Sequence, residues 1–195
     1  MEGYREDFTS SLILPAELAR QGQRVLRACN WNGVSPLVLV HPGSGSLHKC
    51  VEAWRLAKLI EWLIESRMAP MLLEGPADCQ SVAQVLSSVT KPVPVIRDVS
   101  LSAVAGVMAQ ANLYIGHDSG MTHLAAALAI PTIACFGPTQ ASRWAPHGST
   151  VSIISGMPCV CVDWRKVEAC QDKVCLRIPV ESMIEASRTQ LLKPS

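Results

Sequence analysis

The chain has 195 residues, of which 49% are hydrophobic, 17% charged and 5% aromatic, and its formal net charge at pH 7 is +1. This composition is typical of one globular α/β domain and excludes a disordered chain. The near-zero net charge gives no electrostatic footprint for nucleic acid and leaves at most a peripheral association with a membrane. The longest apolar stretch is too short to span a bilayer and no secretory signal opens the chain, so the eight cysteines predict reduced thiols in a cytoplasmic protein.

Helical and strand-like patterns alternate along the chain. Residues 1–13 carry no readable pattern, and we assign residues 1–35 to an N-terminal arm and helix ahead of a single domain at 36–195. The predicted elements, in chain order, are helix 14–28, strand 37–40, helix 51–65, strand 70–73, helix 80–87, strand 93–96, helix 101–109, strand 112–115, helix 121–129, strands 132–136 and 151–154, and helix 180–192. The alternation predicts a doubly wound parallel sheet.

The loop after the first predicted strand, HPGSGS at residues 41–46, is rich in hydrogen-bond donors and is followed by Lys49. Its glycines allow backbone N–H groups to turn inward, Ser44 and Ser46 add hydroxyl groups, and Lys49 can neutralise a phosphate. The spacing fits neither the P-loop nor the dinucleotide-binding fingerprint. Because many strand-to-helix loops contain Gly and Ser, a purely structural role for this loop stays open.

The centre of the chain, residues 111–138, reads as strand, tight turn, helix and strand. The first of these strands is predicted to stop at Gly116, and the polar turn spans residues 117–120. Such a unit places a helix N-terminus at the carboxyl end of a strand, where free N–H groups and the helix dipole favour an anion. In a parallel sheet this turn and the HPGSGS loop emerge at the same edge, where ligands of open α/β sheets bind.

The side chains of this turn are those expected at a phosphate site. Asp118 or Ser119 can cap the helix, and Gly120 allows a ligand to approach the backbone closely. His123 falls on the first helical turn, where a positive charge opposes the helix dipole unless an anion lies nearby. A capped core helix with a hydrogen-bonded histidine is the alternative reading.

Three stretches together resemble the C-terminal half of the family 9 glycosyltransferases, the ADP-heptose:lipopolysaccharide heptosyltransferases and their relatives. They are HPGSGS with Lys49, LSAVAGVMAQANLYIGHDSGMTHLAAALAIPTIACFGPT at 101–139, and RWAPHG at 143–148. The resemblance extends over residues 36–190. It implies a Rossmann-like domain, the donor-binding half of a GT-B fold, which in the whole enzyme faces an N-terminal acceptor domain across a cleft.

The resemblance also implies a reaction. An acceptor sugar hydroxyl of the lipopolysaccharide core attacks the anomeric carbon of an ADP-activated heptose, with inversion and without metal or cofactor. Charge grows on the departing diphosphate, so groups aimed there stabilise the transition state. By resemblance, Lys49 and His123 stabilise this leaving group, and Asp78, or in its place Glu74, accepts from ribose hydroxyls. The other residues expected to contact the nucleotide sugar are Ser44, Gly45, Ser46, Asp118, Ser119 and Gly120.

In that family the general base is an aspartate of the N-terminal domain, and the residues before Leu37 are too few to form such a domain. The chain therefore reads as a donor-binding half that would meet its acceptor through an N-terminal domain or a partner chain. A stand-alone nucleotide-sugar binding module and a remnant without ligand affinity are the alternatives. A face left bare by the missing half would favour self-association or docking of residues 1–30. Cys50-Val51-Glu52 departs from the family pattern of Cys, Trp and Pro, which leaves the nucleotide preference open.

Four cysteines, Cys159, Cys161, Cys170 and Cys175, follow the predicted sheet within an irregular segment at 158–176. Only the last pair has the spacing of a zinc knuckle. A zinc site and disulfides are therefore alternatives to the favoured interpretation of reduced, partly buried thiols.

The remaining aromatic and imidazole side chains give weaker signals. His41, at a strand end, is expected to be structural. His48, His117 and His147 are expected to be polar loop residues that could touch a ligand. Trp144, beside a proline, is expected to pack, with stacking on a base or sugar as the alternative.

Overall fold

A computed structural model describes residues 11–192 of the chain, so the first ten residues of the predicted N-terminal arm lie outside it. The helices are α1 Ala16–Ala28, α2 Ala53–Glu65, α3 Cys79–Leu86, α4 Leu101–Met108, α5 Gly120–Ala127, α6 Ala141–Trp144, α7 Trp164–Ala169 and α8 Val180–Leu192. The strands are β1 Leu37–Val40, β2 Ala69–Leu73, β3 Val95–Ile96, β4 Leu113–His117, β5 Thr132–Phe136 and β6 Val151–Ser155. Short 3-10 turns cover Leu47–Lys49 and Val174–Leu176. None of the helices in this part of the chain is long and apolar enough to cross a membrane.

The six strands form one parallel sheet in the order β3-β2-β1-β4-β5-β6. This confirms the predicted doubly wound α/β fold, and the order is that of the Rossmann fold. The direction of winding reverses between β1 and β4, which pair directly, with Val40 opposite Ile115. The loops after these two strands therefore open side by side at the topological switch point, the usual ligand site of such sheets.

Both faces of the sheet are covered, which explains the uninterrupted aliphatic runs of the central strands. In β1, Val38 and Val40 pack with the apolar residues of α2, α3 and α8. Leu37 and Leu39 point to the opposite face and pack with those of α1, α4 and α5. The two cores lie on either side of the sheet and hold its carboxyl edge in place.

Helix α1 belongs to one of these helical layers, where it crosses α4 at very short range. A Cβ atom added to Gly106 would lie 1.9 Å from the carbonyl oxygen of Leu18, and one added to Gly22 would lie 2.0 Å from the carbonyl carbon of Gly106. Ahead of the helix, the Leu12 amide donates to the carbonyl of Ala127 at the end of α5. The described part of the predicted arm thus packs onto the domain.

Three segments differ from the sequence predictions. Strand β4 continues past Gly116 to His117, because both residues pair with β5. Strand β3 is reduced to two residues, since Pro94 cannot donate to the sheet and Pro92 precedes it. The segment predicted as irregular contains α7, whose N-cap, Asp163, accepts from the Lys166 amide at 2.9 Å.

Candidate functional site

The loop after β1 and the turn after β4 are joined by direct hydrogen bonds. The ammonium group of Lys49 donates to the Asp118 carbonyl oxygen at 3.0 Å and to its carboxylate Oδ2 at 3.1 Å. The Ser44 hydroxyl donates to the same carbonyl at 2.8 Å. Lys49 and Asp118 are both mostly buried, so this ion pair is partly protected from solvent screening. Three residues that the sequence predicted to share one site therefore meet.

His117 also joins the loop after β1 to the end of β4, from the core side of the sheet. Its Nε2 accepts from the Val51 amide at 3.0 Å, and its Nδ1 is 3.3 Å from the Gly43 carbonyl. The ring is fully buried, and desolvation, with His41 nearby, lowers its pKa to about 4. His117 is therefore neutral near pH 7, with its proton on Nδ1. The prediction of a polar loop residue that could touch a ligand is wrong, because β4 carries this side chain into the core.

The alternation of side chains between the two faces of β4 is the sequence signal that would have identified the buried role of His117. Residues 113, 115 and 117 point to one face of the sheet, and the first two belong to the core beneath α2. The predicted strand ended at Ile115, before Gly116, and therefore lost the periodicity two residues before β4 ends at His117. Gly116 is required within the strand because a Cβ atom there would lie 2.5 Å from the Tyr114 hydroxyl.

A second buried pair joins the loop after β1 to the loop after β2. His41 Nε2 and Asp78 Oδ2 are 2.9 Å apart, and the Gly75 amide also donates to this oxygen at 2.9 Å. Both side chains are almost entirely buried. The hydrogen bond from His41, together with its charge and the Gly75 amide, lowers the pKa of Asp78. The structural role predicted for His41 is confirmed, and a ribose contact for Asp78 stays a prediction.

Glu74, the alternative ribose contact, lies in the same loop. Its carboxylate forms an ion pair with Arg97 at 3.4 Å, and the side chain is mostly buried. Both carboxylates predicted to read the ribose are thus already engaged by neighbouring basic groups.

Helix α5 begins at the switch point with an open N-terminus. Ser119 is the N-cap in an extended conformation, but its side chain makes no capping hydrogen bond. A Cβ atom added to Gly120 would meet nothing within 4 Å. The first N–H groups of α5 are therefore available to an anion, and they lie in the turn that Lys49 contacts.

Ser46 and Gly45 shape the turn that carries Lys49. The Ser46 hydroxyl accepts from the His48 amide at 3.2 Å and caps the short helix Leu47–Lys49. Gly45 is exposed, with open space where a Cβ would lie. Ser46 thus positions Lys49, and Gly45 leaves the loop accessible.

His123 stands apart from this group. It is exposed on the first turn of α5, and its Nε2 donates to the Trp144 carbonyl oxygen at 3.1 Å. Among the described residues no hydrogen bond joins His123 to Lys49 or Asp118. The packing role expected for Trp144 is wrong: the residue is 53% exposed, and the neighbouring Pro146 is buried instead.

A cavity of about 510 Å³ opens beside the site, at the carboxyl ends of β2 and β3. Its walls are mainly apolar and include Leu73, Val99, Leu101, Val104 and Met121. Glu74 and Asp78 also line it, and a neighbouring depression that shares its walls extends to Ser44 and Gly120. A flat apolar group in this cavity and an anion at the N-terminus of α5 would therefore lie next to each other.

The cysteines of the chain are all free thiols. Within residues 11–192, no group of three or more His, Cys, Asp or Glu side chains is placed to hold a metal ion.

Comparison with known proteins agrees with this geometry. Residues 14–173 match the family model of glycosyltransferase family 9 (heptosyltransferase). Lipopolysaccharide heptosyltransferase 1 of Pseudomonas aeruginosa is 32% identical over 151 residues, which cover 76% of this chain and 40% of that protein. A family 9 glycosyltransferase of Veillonella parvula has the same fold, with a TM-score of 0.83 at 22% identity over 94% of this chain and 54% of its own. The ADP-heptose lipopolysaccharide heptosyltransferase II of Escherichia coli superimposes with a TM-score of 0.77 at 17% identity, over 93% and 53% of the two chains. The chain spans about half the length of these relatives.

Proposed function

The chain belongs to glycosyltransferase family 9, the heptosyltransferases, and we propose that it is the part of such an enzyme that binds the nucleotide-diphosphate sugar. The observation that carries this proposal is the contact of Lys49 with Asp118 beside the uncapped N-terminus of α5. A cationic side chain and free helical N–H groups at a switch point are what a diphosphate requires.

Lys49 and the α5 N-terminus would act mainly on the leaving group. As the glycosidic bond of the donor breaks, negative charge accumulates on the diphosphate, and preorganised positive groups stabilise that state more than the ground state. Asp118 holds the Lys49 ammonium group in place before the ligand arrives, and would also accept from sugar hydroxyls. His123, exposed on the first turn of α5, would add a further donor. The transfer would proceed with inversion and without a metal ion.

The nucleoside would occupy the apolar cavity. Its volume suits a base, and the depression that shares its walls reaches Gly120 at the α5 N-terminus. Glu74 and Asp78, which line the cavity, would accept hydrogen bonds from the ribose hydroxyls. The Escherichia coli relative with the same fold is named for ADP-heptose, and we propose the same donor here.

The acceptor would be a sugar of the lipopolysaccharide core, brought by an N-terminal domain or a partner chain that also supplies the general base. A stand-alone module that binds a nucleotide sugar without transferring it is the second candidate, because the chain spans about half of its relatives. Self-association and a cytoplasmic location stay predictions.

Calorimetry with ADP-heptose, ADP, UDP and GDP tests the binding site. We expect adenine ligands to bind with a Kd well below about 1 mM, and Lys49→Met to weaken ADP binding about tenfold or more, as loss of a charge-assisted hydrogen bond does. Lys58→Met, an exposed change on α2, is the matched control and should bind like the unaltered protein. If no nucleotide binds below about 1 mM, the proposal fails and a remnant without affinity remains.

Transfer distinguishes the two candidates. The chain is mixed with ADP-heptose, a lipopolysaccharide core acceptor and the N-terminal domain of a related heptosyltransferase, and glycosylated product is measured by mass spectrometry. Product that depends on both components supports the donor half of an enzyme. Tight donor binding without product favours the stand-alone module.

A further inference from the structure

The N-terminus of α5 has no side-chain cap, although a serine stands at the capping position. Ser119 has the extended backbone of an N-cap, with φ −155° and ψ 161°, yet its hydroxyl accepts from no amide of the helix. The amides of Thr122 and His123 both donate to the Ser119 carbonyl oxygen, at 3.1 Å and 3.4 Å. Among the hydrogen bonds of residues 11–192, the amides of Gly120 and Met121 have no acceptor.

A buried threonine accounts for the position of the Ser119 hydroxyl. Thr122 is fully buried, and its hydroxyl donates to the His117 carbonyl oxygen. The same Oγ1 lies 3.3 Å from the Ser119 hydroxyl and 3.5 Å from that of Tyr114. Since a carbonyl oxygen can only accept, the single proton of Thr122 is committed to His117, and the other two hydroxyls donate to its lone pairs. The Ser119 hydroxyl is therefore directed to Thr122 and not to the amides of α5.

Thr122 occupies the third position of α5, where a capping box has Glu or Gln. In a capping box the side chain at this position bonds to the backbone of the N-cap residue, and the N-cap hydroxyl accepts from the helix. Here the shorter side chain of Thr122 meets the N-cap hydroxyl itself, together with Tyr114 and His117 of β4. The start of α5 is thus fixed to β4 while two of its amides stay open at the switch point.

We propose that Thr122 is a positioning residue for the nucleotide, because it keeps the Ser119 hydroxyl away from the amides that the diphosphate needs. This role rests on the proposed function of the chain, since it requires an anion at α5. A Ser119 hydroxyl that turned to the helix would occupy an amide and place an oxygen lone pair where the anion binds. The ligand would first have to break that cap, so its affinity would fall by about fivefold, the factor that one hydrogen bond corresponds to.

Calorimetry with ADP on a double-mutant cycle tests this role. Thr122→Val removes the hydroxyl with little change in shape and should raise the Kd for ADP about fivefold. Ser119→Ala removes the competing hydroxyl, so Thr122→Val added to it should change the Kd by less than about twofold, whatever Ser119→Ala does by itself. Thr122→Ser, which retains the hydroxyl, should bind ADP like the unaltered chain. Thermal unfolding without nucleotide checks that each variant is folded.

Thr132→Val is the matched control for the loss of a buried hydroxyl. Thr132 is as buried as Thr122 and also donates to a carbonyl, that of Ile130 at 2.8 Å, but it begins β5 at the opposite end of the strands. This variant should bind ADP within about twofold of the unaltered chain. An equal loss from Thr122→Val with and without Ser119→Ala would show that Thr122 does not act through Ser119. No loss in either case would show that the Ser119 hydroxyl does not compete with the ligand.

Amide hydrogen exchange followed by NMR, with no nucleotide present, separates this role from the proposed function. In Thr122→Val the freed Ser119 hydroxyl should cap α5, so the amide of residue 121 or 122 should exchange about fivefold more slowly than in the unaltered chain. Adding Ser119→Ala should reverse the change. Slower exchange in a chain that does not bind ADP would support the capping role and refute the nucleotide site. Unchanged exchange in a chain that binds ADP would refute the role of Thr122 alone.

Discussion

His117 shows how a buried side chain can organise a candidate binding site from within the core. Its two ring nitrogens satisfy a carbonyl of the loop after β1 and the amide of Val51, which leads into α2. Both partners are buried polar groups, and each would be costly to leave without a hydrogen bond. The ring therefore fixes the Lys49 loop against β4 only in its neutral form.

This requirement predicts that the free energy of unfolding depends on pH. The pKa of His117 is about 4 in the folded chain and near 6.5 when unfolded, so below pH 6.5 the unfolded chain takes up a proton that the folded chain does not. Stability is thus complete above pH 6.5 and falls as the pH approaches 4. We expect a loss of about 2 kcal/mol between pH 7.5 and pH 5, measured by urea denaturation.

Two variants separate His117 from the other titrating groups. His117→Gln should be less stable at pH 7.5, by about 1–3 kcal/mol for the imperfectly paired amide and carbonyl, and nearly free of this pH dependence. His147→Gln, in an exposed loop, should retain the full pH dependence. The lowered pKa of Asp78 acts in the same direction but only below about pH 4, outside this range. A His117→Gln chain with an unchanged pH profile would contradict the assignment.

Sequence reasoning predicted the polar contacts of the site better than its buried ones. Lys49, Ser44 and Asp118 were placed together because strand ends of a parallel sheet share an edge, and the structure joins them directly. The His41–Asp78 pair could not be derived, because nothing in a sequence states which of two neighbouring loops a buried carboxylate will face. The roles of Lys49, Ser44, Asp118 and Asp78 in binding a ligand stay predictions that the calorimetry tests.

At the scale of elements, α1 and α4 cross at very short range. Gly22 and Gly106 face each other there, and backbone atoms occupy the places where their Cβ atoms would lie. In an ordinary helix, glycine is about 1 kcal/mol worse than alanine. Here the absence of a side chain is what allows α1 and α4 to pack closely and to bury Leu26 of α1 and Val107 of α4.

We therefore expect Gly106→Ala to destabilise the chain, against the usual helix propensity. The new methyl group would clash with the Leu18 carbonyl, which is backbone and cannot move without separating the helices. The net cost should be about 2 kcal/mol or more in urea denaturation. Gln84→Ala, an exposed change in α3, should shift stability by no more than about 0.5 kcal/mol. A Gly106→Ala chain as stable as the unaltered one would show that the helices separate readily.

Elements with strong periodicity were predicted within one or two residues, and the exceptions have local causes. Strands β1 and β5 and helix α8 have the predicted bounds, because aliphatic runs and an opening proline mark them clearly. Helix α7 was missed because six residues are too few to show an amphipathic period, and its Asp163 cap was not considered. Proline chemistry explains the shortening of β3, although the pattern alone favoured a longer strand.

At the scale of the whole molecule, strand order decides where a ligand can bind. Alternation of strands and helices predicted a parallel sheet, but the order of strands depends on which helix covers which face, and that is set by packing across the chain. The order β3-β2-β1-β4-β5-β6 places the switch point between β1 and β4. The cavity under β2 and β3 lies on one side of it, and the cysteine segment follows β6 at the far edge of the sheet.

This arrangement predicts a pattern of protection when ADP binds. A nucleotide that spans the switch point would cover the carboxyl ends of β1, β2, β3 and β4, so amides in residues 41–50, 74–79, 96–101 and 117–124 should exchange more slowly in its presence. Amides of β6, at the opposite edge of the sheet, and of α8, which packs on one face of the sheet, should be unaffected. Hydrogen exchange followed by mass spectrometry, at saturating ADP, measures both groups in one experiment. The four segments are separated in sequence, and only the strand order brings them together. Protection confined to one of them would therefore mean that the ligand does not lie across the switch point. Protection of β6 and α8 instead would place the nucleotide site elsewhere in the fold.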